Sequence, residues 1–124
     1  MNQVEHIRGE NESYDWANII AHYEDLTTYG WGHEMLALVQ YIVSSGVSTR
    51  LFAYTSHATL KVSIYKSRRS RQEELHIDFD SQEQVFYFDY YATEQVHGQP
   101  EFHRKYPVEA GIEKFDQFLR WMRW

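Results

Sequence analysis

Two apolar spacings run along this chain, and each specifies a different backbone. Trp16, Ile19, Ile20, Tyr23 and Leu26 recur every three or four residues, which lines them along one side of a helix. Ser13 or Asp15, just ahead of them, suits a helix N-cap. Thr27, Thr28, Tyr29 and Gly30 break the stripe, and Met35, Leu36, Leu38, Val39, Ile42 and Val43 restore it until Gly46, a natural left-handed cap. The spacing predicts helices over 14–26 and 31–45. Residues 1–12 are polar and aperiodic, as in a flexible N-terminal arm preceding a single domain over 13–124.

The period then falls to two. In 49–56, Leu51, Ala53 and Thr55 alternate with Arg50, Phe52 and Tyr54; in 58–66, Leu60, Val62 and Ile64 alternate with Lys61, Ser63 and Tyr65. Leu75, Ile77 and Phe79 follow against His76, Asp78 and Asp80, then Phe86, Phe88 and Tyr90 against Val85, Tyr87, Asp89 and Tyr91. Two-residue turns, at Ser56-His57 and at Ser81-Gln82 or Gln82-Glu83, put the apolar sets on one face. A slip by one residue would turn a strand inside out, so register follows from parity. The result is a dry face and a mixed, aromatic and polar face. Thr93 to Tyr106 reads as irregular. Pro107 suits the first position of a closing helix, whose stripe is Val108, Ile112, Phe115, Leu119 and Met122, with Asp116 and Arg120 four apart in the favourable order. Phe118, Trp121 and Trp124 extend its apolar surface beyond one stripe, and a dimer is one way to bury it. Gly111 weakens this helix by about 1 kcal/mol relative to alanine. N-terminal helices, a four-stranded antiparallel meander and a C-terminal helix make an α+β two-layer sandwich.

With 124 residues, 43% apolar and 24% charged, the chain has the size and composition of one globular core rather than of a disordered segment. It has no cysteine, which excludes disulfides, thiolate metal sites and cysteine nucleophiles. The longest uncharged apolar-leaning stretch, Met35 to Ser48, carries Gln40, Tyr41 and three serines and falls short of the roughly 20 residues of a membrane span. A soluble, cytoplasmic protein is the expectation. The net charge of −6 conceals blocks: −6 over 1–34, +6 over 47–71, −8 over 72–101 and +2 from Phe102 onward. Pairing between the +6 and −8 segments is the plain structural reading, worth tenths of a kcal/mol per exposed pair, roughly.

Chemistry-bearing motifs are sparse. The seven histidines include no pair three or four apart and no H-E-x-x-H, so neither a metal nor another cofactor is expected. Gly30 and Gly32 form a G-x-G without a preceding strand or third glycine, and no serine sits in a nucleophile elbow. His76 stands out because the mixed face brings it opposite Asp89 or Tyr87, with Asp78 two residues along, and an imidazole beside a carboxylate can serve as an acid-base pair. Lys66, Arg68, Arg69 and Arg71 make a basic loop over 66–71 near aromatics, an ingredient of single-strand nucleic-acid binding, although the net charge opposes a polyanion. Trp31, Tyr29, His33 and Glu34 cluster at the break between the helices. The mixed face itself, with Phe52, Tyr54, Lys61, Tyr65, Tyr87 and Tyr91, has the composition of recognition surfaces. The leading expectation is therefore a non-enzymatic binding domain, an adaptor, chaperone or inhibitor whose partner is another protein or a second copy in a homodimer. A small-molecule-binding or hydrolytic domain built on His76 with Asp78 or Asp89 is the alternative, and nucleic-acid binding through 66–71 is third.

Overall fold

The computed structural model of the chain describes residues 13–67, 72–92 and 99–124. Helix α1 is Trp16–Thr27 and α2 is His33–Ser44; strands β1 Phe52–Ser56, β2 Thr59–Ser63, β3 Glu74–Asp80, β4 Val85–Tyr91 and β5 Phe102–Pro107 follow, and α3 is Gly111–Met122. The architecture is α+β, with all five strands antiparallel in the order β1-β2-β3-β4-β5. The expected arm over 1–12 and the basic residues Arg68, Arg69 and Arg71 lie outside the described residues.

Parity sorts the side chains as the spacing requires. Leu51, Ala53, Leu60, Val62, Leu75, Ile77, Phe86, Phe88 and Tyr90 are buried and form one cluster with Ile19 and Tyr23 of α1, Met35, Leu38, Val39 and Ile42 of α2, and Phe115, Phe118 and Leu119 of α3. Both hairpins keep this partition although their turns sit slightly differently from expectation. Ser56 pairs with Thr59, so the first turn is His57-Ala58, with His57 at φ +57°. Asp80 pairs with Val85 across Ser81–Gln84; its Oδ1 accepts from the amides of Gln82 and Glu83. Each changed turn moves the pairing by an even number of positions or none, so no side chain changes face.

Three features depart from the sequence reading. First, the sheet has five strands among the described residues, because Phe102, Arg104 and Tyr106 alternate with His103 and Lys105 and pair with Tyr90, Phe88 and Phe86 of β4. Their charged and polar neighbours disguise an edge strand as a loop. Pro107 therefore closes a strand; a 3-10 turn over Val108–Ala110 separates it from α3. Secondly, β2 ends at Ser63, whose hydroxyl and Tyr65 hydrogen-bond locally at 3.1 Å. Alternation stops there, and Ile64, an expected core residue, is 37% exposed. Thirdly, α3 turns Phe118 rather than Ile112 into the core, and its Asp116 accepts the hydroxyl of Tyr41 at 2.5 Å, tying α3 to α2.

The three α-helices among the described residues all lie on the dry face. Tyr23 donates to the carbonyl of Ala58 at 2.8 Å and Trp16 Nε1 to that of Leu51 at 3.1 Å, docking α1 on the first hairpin. α2 touches β3, and α3 touches β5. Burying each such Leu, Ile or Phe contributes about 1.5–3 kcal/mol, which is why the helices collect on the one face that offers an apolar partner. Gly46 ends α2 at φ +91°, as its position in the sequence implied. Gly32 at φ +91° turns the chain into α2, leaving Tyr29 72% exposed at the break.

Candidate functional site

The helix-free face of the sheet is built from the residues whose numbers alternate with the core. One row crosses all five strands: Tyr54 opposes Lys61, Lys61 opposes His76, His76 opposes Asp89, and Asp89 opposes His103. Phe52, Glu74 and Tyr91 lie on one side of this row, and Thr59, Asp78, Tyr87 and Lys105 on the other.

His76 occupies the centre and is held from its own strand. Its Nε2 lies 2.9 Å from Oε1 of Glu74, both side chains being under one-fifth exposed (18% and 16%), and its ring lies 4.3 Å from that of Tyr91. Glu74 also accepts the Tyr54 hydroxyl at 2.9 Å. Burial alone would raise the Glu74 carboxyl; the hydrogen bonds from His76 and Tyr54, with the charges of His76 and Lys61, outweigh it and hold the group below its ordinary value. The carboxylates proposed from sequence are engaged elsewhere. Asp89 stands directly across from His76 in register, yet its Oδ1 bonds Nδ1 of His103 on β5. Asp78 accepts the Thr59 hydroxyl at 2.5 Å.

The aromatic members divide. Phe52, Tyr54, Tyr87 and Tyr91 sit on the helix-free face, half-buried, and Lys61 stands 5.5 Å from the Tyr54 ring. Tyr87 stacks on His103 at 5.4 Å and donates to Glu83 at 3.2 Å. Burial first, and then neighbouring acids, push the Tyr87 and Tyr91 phenols above their ordinary value: Glu83 beside Tyr87, Asp89 and Asp78 beside Tyr91. Tyr65 departs from the set, since it lies past the end of β2. Its hydroxyl is 3.4 Å from Glu73, whose other oxygen accepts the Tyr90 hydroxyl at 2.6 Å on the helix-covered side.

Sequence reasoning missed Glu74, His103 and Lys105. The signal for Glu74 was its number, two before His76 and so on the same face; the signal for the others was the alternation of 102–106. The missed strand also adds charge pairs of its own. Among the described residues, acids of the β3-β4 hairpin pair with β5 through Lys105–Glu83 at 3.3 Å and His103–Asp89, while Lys61 of the +6 segment acts on Glu74 and Arg68, Arg69 and Arg71 lie outside the described residues.

A second concavity lies on the helix-covered side, at the sheet edge. Between β5 and α3 a cleft of about 190 Å³ is walled by Phe102, Tyr106, Phe118 and Trp121 over the buried Phe88, with Arg104, Lys114 and Gln117 also lining it. Trp121 is 67% exposed there.

Among the described residues, no group of three or more His, Cys, Asp or Glu could hold a metal ion, and no helix is long and apolar enough to cross a membrane. No protein-family model, curated protein or solved structure matches this chain.

Proposed function

We propose that this chain is a non-enzymatic protein-binding domain of the cytoplasm, an adaptor, chaperone or inhibitor, that recognises its partner through the helix-free sheet face. One observation carries the reading: α1, α2 and α3 all pack on the opposite face, so no helix among the described residues lies over Phe52, Lys61, Tyr87 and Tyr91, or over Tyr54, whose ring meets Tyr14 edge-on at 6.4 Å. Tyrosines whose hydroxyls are tied to Glu74 and Glu83 offer broad contact area with little conformational entropy left to lose. The partner is another protein or a second copy of the chain. The test is site-specific photo-cross-linking in the protein's native cells, with benzoylphenylalanine at position 87 or 91 and a control at exposed Asn18 on α1. Adducts should form from the sheet positions and not from 18; none from the sheet, or equal yields from both, would overturn the reading. Light scattering of the purified protein separates a second copy from a foreign partner.

The 2.9 Å contact between His76 and Glu74 supports a second reading, an acid-base centre in which Glu74 takes the role first considered for Asp78 or Asp89. Substituting His76→Gln separates the two. A binding face should keep its affinity within a few fold, whereas an acid-base enzyme should lose roughly 10² or more in rate.

A further inference from the structure

Strand β5 forms the outer edge of the sheet, with no strand beyond it among the described residues. An edge strand presents alternate backbone donors and acceptors to any extended chain laid alongside it. A chain so added would send every second side chain to the helix-covered side, where Phe102, Arg104 and Tyr106 of β5 point and where the aromatic cleft against α3 opens. The cleft is thus placed to receive side chains from a strand paired with β5.

Its charge selects the occupant. Arg104 lies 5.0 Å from the Phe102 ring and Lys114 5.4 Å from the Tyr106 ring. Among the described residues, their hydrogen bonds go to neutral groups, the His103 carbonyl at 3.2 Å and the Gln117 side chain at 3.4 Å. No carboxylate lines the cleft. In a chain with 18 acids and a net charge of −6, two cations packed on aromatic faces without an acidic partner among the described residues form a local positive site. A second copy fits poorly, because antiparallel pairing of two β5 strands would bring together two runs of His103, Arg104 and Lys105, and like charges across a strand pair repel.

We propose that β5 and the β5-α3 cleft bind an acidic, extended peptide segment of another protein by strand addition, an aromatic side chain entering between Tyr106 and Trp121 and flanking carboxylates meeting Arg104 and Lys114. The cleft opens on the opposite side of the sheet from Phe52, Tyr54, Tyr87 and Tyr91, so each of the two proposals has its own failing result.

The test uses the full chain and a fluorescein-labelled, end-blocked hexapeptide, Glu-Thr-Phe-Thr-Glu-Thr, matched to the six residues of β5. Fluorescence anisotropy should give saturable binding below ~1 mM. Arg104→Glu and Lys114→Glu should each weaken it by ~10-fold or more, and replacing the peptide's threonines by proline should abolish it, because proline cannot donate to a ladder. Amide hydrogen exchange along 102–107 should slow when peptide is bound. Asn18→Ala, exposed on α1, which docks on the β1-β2 hairpin at the far side of the sheet from β5, should change the affinity by less than ~2-fold. Absence of binding, equal binding of a lysine-for-glutamate peptide, binding that survives both charge reversals, or unchanged exchange along 102–107 would each overturn the proposal and leave the charged edge as a guard against aggregation. A dimer in light scattering that Arg104→Glu alters would overturn it in favour of a second copy.

Discussion

Gly111 separates a prediction made from helix propensity from one made from packing. Judged as a residue near the start of a helix, Gly111→Ala should stabilise the protein by at most about 1 kcal/mol, and its backbone, at φ −59° and ψ −47°, suits alanine without strain. The fold reverses the sign. A Cβ at this position would lie 2.5 Å from Cδ2 of Phe86 and closer still to Cε2, separations that real Cβ atoms do not show. The Phe86 ring cannot simply swing away, for it is 3% exposed and lies against Phe79 at 5.0 Å and Phe88 at 6.4 Å. Overpacking of this kind costs about 1–3 kcal/mol. Set against the propensity gain, the net expectation is a loss of up to roughly 2 kcal/mol, or a fall in Tm of up to roughly 12 °C for a domain of this size. Urea unfolding followed by far-UV circular dichroism measures it, with an unchanged m-value showing that stability alone has moved. Trimming the ring in the double variant Phe86→Leu/Gly111→Ala should recover part of the loss, so the two substitutions should cost less together than their sum. A Gly111→Ala midpoint above that of the unsubstituted protein would refute the close approach of α3 to β4.

Two further predictions concern pH. The Glu74 carboxyl is held below its ordinary value of 4.5, burial being outweighed by the bonds from His76 and Tyr54 and by the nearby positive charges. A depressed carboxylate contributes stability that is present above 4.5 and lost as pH falls through the folded value; Glu74→Gln should therefore lower Tm at neutral pH and flatten its decline in acid, and parallel profiles for the two proteins would contradict this. At the alkaline end, burial first raises the phenols of Tyr23 and Tyr90 far above 10.0, helped by the charge of Asp78 at Tyr23 and by the hydrogen bond to Glu73 at Tyr90. A raised phenol contributes stability that is complete below pH 10 and lost above it, as the unfolded chain ionises and the folded one does not. Phenolate absorbance should show these two groups appearing only as the circular dichroism signal collapses, and free titration of all ten tyrosines in the folded protein would contradict their burial.

Much of this architecture was legible in the order of residues, because a period of 3.6 or 2 is a statement about which side chains share a face. The helices at both ends, the two hairpins, the register-preserving parity and the burial of Leu60, Val62, Leu75, Ile77, Phe86 and Phe88 follow from that alone. β5 escaped because an edge strand is half solvated, so Arg104 at an inward-facing position and His103 and Lys105 outside it look like loop residues. Ile64 and Tyr65 misled for the opposite reason: alternation continued in the letters after the strand had stopped in space. His76 was recognisable as a central residue of the mixed face, but its partner was not, since Glu74, Asp78 and Asp89 are all within reach of a pleated sheet and only side-chain geometry chooses among them.

By itself, then, the amino-acid order determined the class of fold, the strand faces and the composition of the helix-free surface, all of which depend on local periodicity and on the tendency of apolar residues to leave water. The tertiary structure alone decided that all three helices share the dry face, that α3 meets β4 at a glycine, that His76 is held by Glu74, and that β5 and α3 enclose a cationic aromatic cleft. Each of these is a contact between segments distant in sequence, where the outcome turns on the shape and charge of both sides rather than on the spacing within either.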